Sequence, residues 1–518
     1  MAEIPKTPGV YIQEKSEFPN SAVPVPTAVP AFVGYTEKAI RNNKSLKNVP
    51  TRLSSFSEFL LFFGGAPNTT YAVATDPGSV FQISNPKSRF LLYYSIKLFF
   101  ANGGSDCYIV SIGDYSQEVK ISDFDGEAPI LDATGADTGA VQVLGIRTLR
   151  KEREPTLLVI PDAVLLSKSE CGAVQKRMLR HCYTMGSCFA ILDVPMSAAD
   201  LKQPDTNQII ETFRNNIGTE NLQWGAAYYP YLATAITGSD EVSFRNIDPA
   251  KNAVLMDLLL DEVAATQKQG LMDDKQASAI TAEINQIAPN NPVSGEQAET
   301  ARTLHQGLLA ISPLYKKIMN AVRHEINILP PSAGMAGVYS MVDNNIGVFQ
   351  APANVSIGSV AALVVQVTNK EQEDLNVPLH GKAINAIRTF PGKGMLVWGA
   401  RTLDGNSQDW RYISVRRTVI FIEQSIKYAI EPYVFAPNTA ATWANVQALI
   451  TNFLTNVWKI GALAGATPKD AFSVNIGLGV TMTPVDILDG IMRVSVQVAL
   501  TRPAEFIVLT FQQKMQSS

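Results

Sequence analysis

The chain has 518 residues, 46% of them hydrophobic and 17% charged, a length that suits two to four domains better than one core. Its net charge of −4 leaves no basic excess to neutralise phosphates, which argues against nucleic acid as a direct partner. No uncharged apolar run approaches the roughly 18 residues of a membrane span, and Cys107, Cys171, Cys182 and Cys188 show no C-x-x-C pairing, so buried free thiols are expected, not a disulfide framework or a zinc site.

The N-terminus, Met1-Ala2-Glu3-Ile4-Pro5, lacks an apolar signal core, which implies a soluble protein made in the cytoplasm without a signal peptide. Residues 1–13 read as extended, with Val10 and Ile12 on one strand face and Tyr11 and Gln13 on the other. Pro19, Pro24, Pro26 and Pro30 then space out a semi-stiff linker. A short strand followed by a spacer is an arm; fully extended, about 12 residues reach roughly 40 Å.

From Ala31 the pattern becomes strand, helix, strand. Ala31–Tyr35 reads as a buried strand, a helix begins at Ser54 or Ser57 and stops at Gly64-Gly65, and another runs from about Lys87 to Ala101. Strand Cys107–Ile112 follows, and 114–148 is a weakly periodic insertion rich in Asp, Gly and Ala. Alternation resumes with strand 156–160, helix 169–185, strand 188–194, a helix near 208–215 and strand 226–229, which predicts an α/β layer. Residues 236–300 are acidic and helical and read as an inserted hairpin, and 304–325 as one longer helix ended by Pro330-Pro331. The runs 337–351 and 355–367 look strand-like.

The C-terminal block opens with strand Gly394–Trp398 and a turn at Asp404-Gly405-Asn406. Apolar residues at three- and four-residue steps from Val415 to Tyr433 predict a helix. A second helix, capped at Asn438 or Thr442, carries Val446, Ile450, Phe453 and Val457 and ends near Gly461. The period then changes to two. Phe472, Val474, Ile476 and Leu478 read as one strand, and Met492, Val494, Val496, Val498 and Leu500, alternating with Arg493, Ser495 and Gln497, as another with one wet face. Phe506–Phe511 reads as a terminal strand, and such an apolar edge needs a partner.

Several words in this block carry a resemblance: Phe390-Pro391-Gly392-Lys393-Gly394, Trp398-Gly399-Ala400-Arg401-Thr402-Leu403, Trp410 to Arg417, Gly461 to Pro468, and Arg502-Pro503-Ala504-Glu505-Phe506. In this order they resemble the C-terminal domain of contractile tail sheath proteins, found in contractile bacteriophage tails and phage-tail-like extracellular injection systems. The resemblance is close over about the last 190 residues and looser within 1–112 and 155–232.

That resemblance implies a mixed α/β (α+β, multidomain) fold. It would have an N-terminal arm and linker at 1–26, an outer α/β part at 27–350 with insertions at about 114–148 and 236–300, and a C-terminal domain at 351–518. The C-terminal domain would combine helices with a strand-exchanged β-sheet and end in a second arm. The implied function is structural: stacked hexameric rings polymerise around an inner tube, with baseplate and terminal cap proteins as further partners, and contract to drive the tube through a target envelope. It implies no cofactor, no metal, no direct contact with nucleic acid or membrane, and residence in a phage-tail-like particle or virion. Val10, Tyr11, Ile12 and Gln13 and Phe506, Ile507, Val508 and Leu509 would be the exchanged strands, and Val494, Val496 and Val498 the receiving strand. Arg416, Arg417, Lys459 and Lys469 are candidates to face the tube. The tail of a contractile phage virion is the alternative within the family.

An enzyme built on the α/β region, such as a hydrolase, is the alternative of another class, and the residues give it little. His324-Glu325 has Ile328 where a zincin needs its second histidine, and Gly381-Lys382-Ala383 lacks the rest of a phosphate loop. Pro391-Gly392-Lys393-Gly394 leads into a strand and not a helix N-terminus. His181 and Cys182 are adjacent on a predicted helix and point apart, while Cys188 opens a strand.

Overall fold

A computed structural model describes residues 22–509, apart from 77–78, 85–88, 132–136, 289–290 and 292–297. The chain divides into two compact units, Pro26–Arg417 and a smaller one made of Met1–Val25 with Thr418–Ser518.

The larger unit is built on an eight-stranded sheet. Its strands in chain order are β1 (Pro30–Thr36), β2 (Thr51–Leu53), β3 (Cys107–Asp114), β4 (Leu157–Val159), β5 (Phe189–Asp193), β6 (Gly225–Tyr229), β7 (Ile384–Phe390) and β8 (Gly394–Trp398). Across the sheet they lie in the order β8-β7-β6-β5-β4-β1-β3-β2. The six central strands are parallel, and β8 and β2 close the two ends antiparallel. Strands β1, β4, β5 and β6 are buried at every residue. Parallel strands covered on both faces need such continuous apolar runs, which is why Ala31–Tyr35 lacks alternation.

Two helices are held to this sheet by buried aspartates. The carboxylate of Asp162, just after β4, accepts from the backbone N–H groups of Tyr35, Leu91 and Leu92, at 2.9, 2.6 and 3.2 Å. It thereby caps α1 (Leu92–Ala101). Gly34 leaves room for that carboxylate, because a Cβ there would collide with it. At the end of β5, Asp193 accepts from the N–H and hydroxyl of Ser332 at 2.7 and 2.5 Å, capping α2 (Ser332–Asn345). Burial pushes both carboxyls up, Asp162 to about 6 and Asp193 to about 7, against the lowering effect of those hydrogen bonds.

Helix α2 corrects the strand expected at 337–351. Its residues Ser332–Ser340 and Val342 are all buried, and a helix buried on every side shows no 3.6-residue stripe. Gly337 permits the close packing: a Cβ there would lie 2.5 Å from the Phe99 carbonyl of α1. The single helix expected at 304–325 is two, Ala298–Ile311 and Pro313–Ile326. Pro313 cannot continue a helix but suits a first turn, and Ser312 caps the new start at the Tyr315 N–H. The acidic insertion contributes Asn252–Lys268 and Asp274–Ile284 to this helical group, and the excursion at 114–148 holds the hairpin Glu127–Leu131/Asp137–Val143.

The smaller unit holds most of a helix that starts in the larger one, α3 (Ile413–Ile430), together with α4 (Ala440–Lys459) and a two-stranded antiparallel sheet. The sheet strands are β9 (Phe472–Asn475) and β10 (Ser495–Val498). Helix α4 buries Val446, Leu449, Ile450, Phe453, Leu454 and Val457, and Phe453 meets Phe421 of α3 with ring centres 5.9 Å apart. Its N-cap is Thr439; Asn438 instead accepts from the Trp443 indole and donates to the Ile491 carbonyl. The units divide at Arg417/Thr418, not near residue 350, because β7 and β8 extend the sheet of the larger unit.

Candidate assembly site

The period-two stretch expected to receive a neighbour's strand forms β10. In an antiparallel strand the N–H and C=O of one residue point to the same edge, and successive residues alternate edges. Ala499 donates to the Ala471 carbonyl at 2.8 Å and accepts from the Ala464 N–H at 2.7 Å, and Thr501 donates to the Ala462 carbonyl at 3.2 Å. Ala499 and Thr501 therefore face segment 462–475. By alternation, Val496 and Val498 turn their backbone groups to the opposite edge. Among the described residues no strand pairs with that edge.

The sheet's other edge is closed differently. The Val474 carbonyl of β9 points outward and accepts from the Gln447 side-chain amide of α4 at 2.8 Å. A side chain thus occupies one edge while the other keeps a row of free donors and acceptors. Val494, Val496 and Val498 are half-buried and alternate with exposed Arg493, Ser495 and Gln497, the one-wet-face pattern of the sequence. Arg493 donates to Asp486; hydrogen bonds from the Thr483 N–H, from Arg493 and from the Thr483 hydroxyl hold that carboxyl down at about 2.

The remaining candidates sort by burial. Phe506, Ile507, Val508 and Leu509 form no strand and stand 70%, 79%, 86% and 74% exposed. Val10, Tyr11, Ile12 and Gln13 lie outside the described residues. Lys459 and Lys469 are exposed, the latter on a turn whose Thr467 and Asp470 form a capping box.

Arg416 and Arg417 are instead buried in the larger unit. The Arg416 guanidinium lies 3.6 Å from the Trp224 ring centre and 4.8 Å from that of Trp410. Arg417 makes a two-pronged pair with Asp343, at 3.0 and 2.6 Å. The adjacent basic residues read as a surface feature in the sequence; Trp224 and Asp343, which help to bury them, lie far away along the chain, while Trp410 is close by.

The cysteines are free and buried. The structure brings His181 near Cys188: the Cys188 sulfur is held below the usual thiol range, first by the Cys182 thiol and, against burial, then by His181. The adjoining cavity, lined by His181, Met185, Ser187 and Cys188, measures about 10 Å³, room for about one water and for no substrate. Among the described residues no group of three or more His, Cys, Asp or Glu side chains could hold a metal, and no helix is long and apolar enough to cross a membrane.

Residues 406–514 match the phage tail sheath C-terminal domain. The chain is similar over 99% of its length to 99% of a chain in the contracted sheath complex of PVC, an extracellular contractile injection system, at 25% identity and a TM-score of 0.57. A chain of the anti-feeding prophage (AFP) baseplate structure is similar at 27% identity and a TM-score of 0.56, over 99% of this chain and 100% of that one. The tail sheath protein of Vibrio phage KVP40 is 21% identical over 254 residues, 48% of this chain, and the match spans only 36% of that protein. The chain thus carries a phage tail sheath C-terminal domain and a fold matched from end to end by chains of contractile injection systems.

Proposed function

We propose that this chain is the repeating subunit of a contractile sheath in a phage-tail-like injection system. Copies stack as hexameric rings around an inner tube, with baseplate and terminal cap proteins at the ends, and contraction drives the tube through a target envelope. The observation that carries the reading is the one-sided sheet of the smaller unit, open along Val496 and Val498 and closed by Gln447. An open edge beside exposed apolar chain is a template for strand addition. Val494, Val496 and Val498 receive strands from neighbouring copies, supplied by Val10–Gln13 and Phe506–Leu509. Residues 1–26 serve as arm and linker, and heterologous contacts of this kind repeat into a helical polymer. Lys459 and Lys469 remain as tube-facing candidates, whereas Arg416 and Arg417 serve inside the fold.

The near-complete overlap with injection-system chains favours this over the tail of a phage virion, for which the likeness spans a smaller part of the relative. No bond chemistry is assigned to the chain. Electron microscopy of the purified protein, with and without residues 1–13, tests the reading. The full chain is expected to form tubes, and the truncated chain to melt cooperatively but form none. A full chain that stays monomeric under every assembly condition, or tubes formed without the arm, would contradict it.

A further inference from the structure

Two peptide connections join the units, Val25–Pro26 and Arg417–Thr418. Within the larger unit, both are fixed by one buried cluster on α2. The Arg417 guanidinium pairs with Asp343, donates to the Thr27 carbonyl at 2.9 Å, and lies 4.6 Å from the ring centre of Tyr339. The Arg417 and Asp343 side chains are only 3% and 1% exposed. One turn away, the Ser340 hydroxyl donates to the Ala28 carbonyl at 3.1 Å, and the Tyr339 hydroxyl meets that of fully buried Tyr228 at 2.8 Å. Thr156, just before β4, also donates to the Thr27 carbonyl, at 2.8 Å, and its hydroxyl accepts from the Val29 N–H at 2.9 Å.

Neither feature is explained by fold stability alone. A buried ion pair is often no more stabilising than apolar side chains of the same shape, because both charges lose their hydration. What the pair adds is direction: a forked guanidinium accepts only one arrangement of its partners. Here it ties a residue one position after the first connection to the residue at the second. Arg416, next to it, is held separately between Trp224 and Trp410.

We propose that Arg417, with Asp343, Tyr339 and Ser340, is a single anchor that locks both connections to the larger unit so that they bear load together. A pull on either connection then reaches the central sheet through α2, and neither can pay out slack. The mechanical role rests on the sheath reading above; the locking itself is a property of the isolated chain.

The test uses the full-length chain and hydrogen–deuterium exchange of its backbone amides. The double variant Arg417→Met/Asp343→Leu removes both charges and keeps apolar bulk, so no buried charge is left unpaired. Amides of Ala28 and Val29 and those of Ile413–Arg417 are expected to exchange about tenfold faster or more, together, as local opening loses a charge-assisted bond. Arg416→Leu is the control and should accelerate Ile413–Arg417 alone. Unchanged exchange at Ala28 and Val29 in the double variant, or equal loosening of both segments by Arg416→Leu, would overturn the anchor. Should the double variant fail to fold, Ser340→Ala, which deletes only the bond to Ala28, should still quicken the exchange of Ala28 and Val29 and is judged by the same outcomes. In assembled sheaths, the double variant should shorten incompletely when triggered; full shortening at the wild-type rate would overturn the load-bearing role while leaving the sheath reading intact. A wild-type chain that never assembles would defeat that reading, and the exchange result would still decide the anchor.

Discussion

The two sheets of this molecule use their edges in opposite ways. In the larger unit six parallel strands, four of them buried throughout, end in antiparallel strands on both sides, and β8 is bounded further by segment 354–356. In the smaller unit two half-buried strands leave one edge to a side chain and the other open. The first sheet keeps its most buried strands in the middle, between these antiparallel ends. The second keeps one edge that no strand pairs with among the described residues, and on the reading proposed above that edge receives strands from neighbouring copies. The difference teaches where to look for assembly in a structural protein: at half-buried strands with an unpaired edge, which are templates for strand addition.

Substitutions should divide along the same line. Phe32→Ala, at a fully buried site of β1 packed on Phe99 at 5.2 Å, is expected to cost about 3–5 kcal/mol. Its signature would be a large drop in melting temperature. Val508→Pro, at an exposed position, should change monomer stability by no more than about 0.5 kcal/mol and yet block polymerisation, read by sedimentation. Should Val508→Pro unfold the monomer instead, the separation between the two regions breaks.

The pH dependence sharpens the comparison, because the buried carboxylates Asp162 and Asp193 both belong to the larger unit. Their folded pKa values, about 6 and about 7, lie above the unfolded value, so the native state binds more protons in that range. Stability from this source is fully present at acid pH and falls as pH rises through the folded pKa. Between pH 5 and 7, Asp193 alone should account for a loss of about 2 kcal/mol at about 1.4 kcal/mol per unit. Asp193→Asn should flatten that slope in denaturant melts. An unchanged slope would place the titrating group elsewhere.

Much of the larger unit was legible because its elements announce themselves locally. Ser167 and Glu170 form the capping box that opens helix Lys168–Met185, and Gly186 ends it in a left-handed turn. Pro313, in plain view, splits the helix expected at 304–325, but several other misreadings share one cause: the deciding partner lay far off in sequence. Helix α1 starts at Leu92, not near Lys87, because Asp162 caps it from some seventy positions later. Helix α2 looked like strand because α1 and Asp193 bury its whole circumference. Arg416 and Arg417 looked like tube-facing residues because nothing nearby in sequence announces Trp224 or Asp343. In the smaller unit the alternation of Val494, Val496 and Val498 was plain. Which edge of their strand stays open was not, since that depends on Gln447 reaching Val474.

A smaller effect is expected at that closed edge. Gln447→Ala removes one hydrogen bond to a partly buried carbonyl, worth about 1 kcal/mol, and opens the second edge of the sheet. Tubes should still form, with more irregular aggregates beside them in micrographs. Complete loss of tubes would mean that Gln447 sits in an assembly contact and not merely on an edge.

The most direct measurement uses Val496→Pro. Proline deletes one N–H, and at Val496 that N–H points away from β9, so the pairing of β9 with β10 is kept. Edge positions with outward N–H groups are where strands tolerate proline. Thermal melts of the variant should stay close to those of the wild type, while electron microscopy finds tubes for the wild type and none for Val496→Pro. Tubes of normal diameter and length from Val496→Pro would contradict strand addition at the open edge of β10.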